Sequence, residues 1–72
     1  MSSTYQATRQ LLADMWDMGA VVRVDCVDRM CHVRMIWRGQ TLTTSTSSGY
    51  DNAVRYAHAM LVRLIAESEA AA

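Results

Sequence analysis

The sequence contains no lysine, no phenylalanine and no proline, and its seven arginines are balanced by seven acidic residues. A net charge of zero removes the broad basic field that phosphate-backbone binders use. Two cysteines are too few for the disulfide framework of a small secreted domain, so Cys26 and Cys31 are expected as reduced thiols. No apolar run approaches the ~20 residues of a membrane-spanning helix. The N-terminus lacks the basic-then-apolar pattern of a signal segment. The expectation is a cytoplasmic chain without membrane contact. What is present is a 51% apolar composition over 72 residues. That excludes a wholly disordered chain. It allows one small α+β domain, ordered over about 4–69, burying about 60% of its unfolded surface.

Helical spacing opens the chain. Thr8, Leu11, Leu12, Met15 and Trp16 recur at three- and four-residue intervals from Thr4 to Met18 and form one apolar stripe. Ser3 is placed as N-cap, with Gln6 reaching back in a capping box. Arg9, Asp14 and Asp17 fall on the solvent side, and Gly19 stands where a C-terminal cap is expected.

Residues 20–27 are rich in valine and alternate, as do residues 31–38. Val22, Val24 and Cys26 share one face, with Arg23 and Asp25 opposite. Cys31, Val33, Met35 and Trp37 share a face, with His32, Arg34, Ile36 and Arg38 opposite. Two registers keep the apolar faces together. A two-residue tip at Asp28-Arg29 sets Cys26 against Cys31 and Arg23 against Arg34. A four-residue tip from Asp28 to Cys31 sets Cys26 against Val33 and Asp25 against Arg34. Opposed arginines are unfavourable, and Asp-Arg is a poor type I′ pair, so the longer tip is expected. Gly39-Gln40 is read as the second turn. Thr41–Thr46 is a threonine-rich edge strand with Leu42 and Thr44 inward.

The last segment, from Tyr50 to about Glu69, carries Ala53, Ala57, Met60, Leu61, Leu64 and Ile65 on one stripe. Ser48 is read as its N-cap, with Asp51 at N3; Ala70–Ala72 are expected to fray. The fold class is therefore α+β, an α-β-β-β-α two-layer sandwich with an antiparallel three-stranded meander and two helices on one face.

The chemistry-bearing residues are few. Cys26, Cys31, His32 and His58, with Asp25 and Asp28, do not make the paired short spacings of a zinc site. Cys31 and His32 are neighbours on a strand and so point to opposite faces. His58 sits beside an apolar stripe, as a structural histidine does. No phosphate loop, dinucleotide fingerprint or zinc-protease motif occurs. Trp16, Trp37, Met15, Met35 and Met60 are expected in the core, with Met18 and Met30 nearer its margin. No catalytic residue, metal or cofactor is assigned, and the chain is expected not to be an enzyme.

The element order resembles the double-stranded-RNA-binding-domain fold. Ser48-Gly49-Tyr50-Asp51-Asn52-Ala53, followed by Ala57 and Met60-Leu61, is similar to the start of that family's second helix. The family grips phosphates there with a lysine pair and a third basic residue. Tyr50, Asp51 and Val54 stand in those places here. The resemblance implies the fold, and the departure counts against its RNA-binding activity. Small phage-encoded proteins of the anti-CRISPR kind are also similar in size, plan and lack of catalytic motif. That resemblance implies an inhibitor that occludes a host nucleoprotein complex.

One surface remains as the candidate binding site: Arg23, His32, Arg34, Ile36 and Arg38, with Val21, on the sheet face away from the helices. A plain solvated face, tempered by Asp25, is the competing reading. Arginine pairs carboxylates bidentately and stacks on aromatics, which fits a partner surface. A host protein or nucleoprotein complex is the expected partner, of a monomer or homodimer. Direct nucleic-acid binding and a structural homodimer with this face as its seam are the alternatives, and the threonine-rich third strand offers a second route by pairing edge to edge with another chain.

Overall fold

The computed structural model describes the backbone of residues 3–71 and the side chains of residues 6–71. The chain runs α1 (Ser3–Asp17), β1 (Val21–Val27), β2 (Met30–Trp37), β3 (Gln40–Thr46) and α2 (Tyr50–Ala71). The strands form one antiparallel sheet in the order β1-β2-β3. α1 packs on β1 and on α2, and α2 lies over β2 and β3. This is the α-β-β-β-α two-layer arrangement that the alternation and the two stripes imply. The envelope measures 41 × 24 × 16 Å, and the 22 residues of α2 rise about 33 Å.

α1 begins at Ser3, so Ser3 is a helical residue and not the cap. Its side chain, and with it the capping-box pairing, lies outside the described residues. The other end closes as the glycine implies. Gly19 takes φ +93°; its N–H donates to the Trp16 carbonyl, and the Ala20 N–H donates to the Met15 carbonyl. These are the two bonds of a Schellman cap, and its accompanying apolar contact comes from Ala20 and Met15, both buried. The Trp37 indole Nε1 donates to the Met18 carbonyl at 3.0 Å, tying the end of β2 to the end of α1.

Both turns differ from the expectation. Val27 pairs with Met30, Cys26 with Cys31, and Arg23 with Arg34, so the first tip is the two-residue Asp28-Arg29 turn. Asp28 takes φ +57°, a region that aspartate tolerates better than most residues. Cys26 and Cys31 are joined in a disulfide, which replaces the expected pair of free thiols. The bridge explains the register: a covalent bond between directly opposite residues outweighs the like-charge contact of Arg23 and Arg34. In the second turn Trp37 pairs with Gln40, which puts Arg38 and Gly39 at the tip. Both take positive φ, +49° and +80°, as a type I′ hairpin requires.

α2 starts one residue after Gly49, whose carbonyl accepts the first helical bond from Ala53. Gly49 is therefore the N-cap, not Ser48, and Asp51 is at N2. Ser48 instead turns back on β3, its N–H donating to Thr46 Oγ1. The helix continues through Ala71, so the tail expected to fray is helical as far as it is described.

The core is built from the inner faces named by the pattern, except that Cys26, near the end of β1 at the hairpin tip, is exposed. Met15, Cys31, Val33, Met35, Trp37, Ala53, Val54, Ala57 and Leu61 are buried. Leu11, Leu12, Met18, Val22, Val24, Leu42, Met60, Leu64 and Ile65 pack around them. At roughly 25 cal/mol per Å² this apolar burial is the main term holding two helices to one small sheet. Ala53 and Ala57 permit the close approach of α2. One stripe residue departs from expectation: Trp16 is 54% exposed. The reason is coverage. Thr8 and Asp14, which contact α2, mark the α2 side of α1. At 100° per residue Trp16 falls on the opposite flank, beside β1, beyond which the sheet ends. Asp14 is likewise not on a purely solvated face; it accepts from Gln10 Nε2 and stands 3.9 Å from His58 Nε2.

Candidate functional site

Alternation turns Val21, Arg23, Asp25 and Val27 of β1 away from the helices, together with Met30, His32, Arg34 and Ile36 of β2 and Thr41, Thr43 and Ser45 of β3. All are exposed. The register arranges them in rows across the sheet. Val21, Ile36 and Thr41 form one end row; Arg23, Arg34 and Thr43 form the next; Asp25, His32 and Ser45 follow; Val27 and Met30 close the tip. The face is thus a polar band between two apolar ends, in which Val27 is 63% exposed.

Of the five residues named from the sequence, the structure brings four onto this face: Arg23, His32, Arg34 and Ile36. Arg38 is not among them. β2 ends at Trp37, so Arg38 belongs to the turn, where its guanidinium carbon lies 4.7 Å from the centre of the Trp37 ring. That cation–π contact is worth about 0.5–1 kcal/mol and assigns Arg38 to the sheet end. Arg23 and Arg34 face each other directly. Neither arginine has a carboxylate partner among the described residues.

Sequence reasoning did not find the bond between His32 Nδ1 and Ser45 Oγ, at 2.7 Å. The signal lay in the β2–β3 register, which a correct placement of the Arg38-Gly39 turn supplies. Asp25 pairs with His32 on the other side, so aspartate, histidine and serine share one row. The row lacks what a nucleophilic triad needs. No Asp25–His32 ion pair within 4.0 Å occurs among the described residues, and the row lies on an open sheet where water is not excluded. Val27 and Met30 were also missed as site residues: the longer tip places Met30 in the loop, so the pair that closes the face does not form in that register.

The start of α2 is a second region with chemistry. It lines an open cleft of about 580 Å³ with Thr8, Leu11, Tyr50, Asn52 and Arg55. A helix N-terminus favours anions, but here Asp51 already supplies the negative charge. Its Oδ1 accepts a 2.7 Å bond from the buried Thr8 hydroxyl. Val54, in the third of the places where the RNA-binding family carries cations, is 0% exposed and belongs to the core. Among the described residues no group of three or more histidine, cysteine, aspartate or glutamate side chains is placed to hold a metal. No described helix is long and apolar enough to cross a membrane.

Comparison with protein-family models, with curated proteins and with solved structures returns no match for this chain.

Proposed function

We propose that this chain is a non-enzymatic protein-binding module whose binding surface is the outer face of the sheet, centred on Arg34 with Arg23, His32 and Ile36. The observation that carries the reading is the middle of that face. Two arginines stand opposed without carboxylate partners, between exposed Val21–Ile36 and Val27–Met30. Opposed like charges cost the fold stability. A partner carboxylate offsets that cost by bidentate pairing, while the apolar ends supply area that solvation alone does not call for. A duplex nucleic acid is the weaker occupant. Asp51 and the buried Val54 occupy two of the three cationic places of the resembling fold, and net charge is zero.

The specific form of this reading is a small inhibitor, encoded by a phage or mobile element, that occludes a host nucleoprotein complex. It draws on the resemblance in size and element order. A cytoplasmic location belongs to it. The Cys26–Cys31 bridge stands against that location, because disulfides are rare in reducing compartments. Trapping thiols in expressing cells decides the point: free thiols fit the cytoplasm and an intact bridge contradicts it.

Arg34→Glu tests the surface. The variant places opposite charges across the first hairpin, so it folds at least as well as the parent while losing retention of the partner complex in a pull-down. Retention equal to the parent's by a folded variant overturns the reading. A steeply salt-dependent shift of duplex RNA by the parent, lost in Arg34→Glu, would transfer the face to nucleic acid.

A further inference from the structure

The two edges of the sheet are unlike. β3 presents threonines, serine and glutamine, with Leu42 its one apolar side chain. β1 carries four valines in seven residues and pairs with β2 in seven consecutive positions without a bulge. Its edge protection is limited to one charge of each sign, Arg23 and Asp25, with no proline, no lysine and no inward charge. Its free backbone groups can be assigned. The 4.0 Å Cα separation of Cys26 and Cys31 is that of a non-hydrogen-bonded antiparallel pair. Alternation then turns the N–H and C=O of Val22, Val24 and Cys26 away from β2, toward the open edge.

The order of side chains along β1 is nearly self-complementary. Reading outward from Val24, Arg23 faces Asp25, Val22 faces Cys26, and Val21 faces Val27. We infer that β1 is the docking edge for a second copy of this chain, joined antiparallel about Val24 into a continuous six-stranded sheet. In that register Val24 meets the partner's Val24 through the backbone groups that point outward. Arg23 meets the partner's Asp25, and Asp25 meets the partner's Arg23. Neither residue has an ion-pair partner within the described chain, and the seam gives each of them one. Val21 and Val27, both exposed in the single copy, cover each other. The same joining closes the flank of α1 on which Trp16 stands. His32, Arg34 and Ile36, one strand further in, remain open on both copies, so the pairing leaves these three to another partner while it takes Arg23 out of the partner-binding face.

Sedimentation equilibrium of the full chain over a wide concentration range is the test. The parent rises to twice the chain mass. Arg23→Asp alone, and Asp25→Arg alone, each place two like-charge contacts in the symmetric seam and raise the dissociation constant about tenfold or more. An equimolar mixture of these two variants restores opposite charges at both contacts and associates as tightly as the parent. A parent that stays monomeric, a dimer indifferent to the single reversals, or a mixture no tighter than either variant overturns the proposal. Amide exchange gives a readout needing no variant. The N–H groups of Val22, Val24 and Cys26 become protected as the parent is concentrated, and unchanged exchange at these three positions overturns the proposal equally.

Discussion

The two hairpins share β2 and reach their registers by different means. The β2–β3 turn uses Arg38-Gly39 at positive φ, with glycine where a type I′ turn tolerates it best. Its inner pairs, Met35 with Leu42 and Val33 with Thr44, lie under α2. Local preference and burial point to one register. The β1–β2 turn uses Asp28-Arg29, opposes two arginines, and leaves Val22 and Val24 half-buried. There the disulfide supplies the selection that turn chemistry and charge do not. A small sheet can therefore be specified noncovalently on one side and covalently on the other.

The largest way to break this contrast is Trp37→Ala. It removes a side chain that is 3% exposed together with its bond to Met18, and should cost about 3–5 kcal/mol in chemical denaturation. It should unfold both hairpins together, because Trp37 ties the sheet to α1. Replacing Cys26 and Cys31 by alanine should cost less, about 2 kcal/mol, as expected for so short a closed loop. Its effect should be uneven: amide exchange should accelerate in β1 and change little in β3. Uniform acceleration would show that the bridge serves the whole sheet and would end the contrast. Gly39→Ala should cost about 1 kcal/mol, read from thermal denaturation, because an alanine at φ +80° is strained. Nothing lies within 4 Å of the added methyl, so the cost is one of backbone conformation alone. Smallest is Arg34→Glu, which should raise stability by about 0.5 kcal/mol by turning a like-charge pair into an opposite one. A loss of stability there would mean that the arginines are not opposed.

These contrasts also explain what could be read from the sequence. Element order, the inner faces and the Gly19 cap follow from periods of 3.6 and 2 and from one glycine, and all are local. The first register is not. Sliding β1 by two residues keeps Val22 and Val24 inward, so alternation cannot separate Cys26 against Cys31 from Cys26 against Val33. Charge and turn preference then pointed to the register that the disulfide excludes. Arg38 was lost from the site by a similar error of one position, since a strand extended to residue 38 puts it outward and a turn at Arg38-Gly39 does not. Trp16 lies within the stripe by angle, but its burial depends on whether a fourth strand exists beyond β1. For the candidate site, four of five residues were legible from alternation alone. The row joining His32 to Ser45, and the apolar tip of Val27 and Met30, needed the registers.

The unequal burial of the two tryptophans gives the molecule two optical reporters. Trp37, held in the core and bonded to a carbonyl, emits as an indole shielded from water, and its emission follows the unfolding of the sheet. Trp16 emits from solvent and is open to a soluble quencher. Collisional quenching therefore resolves the molecule into an inner and an outer signal. Any partner that closes the β1 side of the fold is seen as a change in the outer signal while the inner one stays constant.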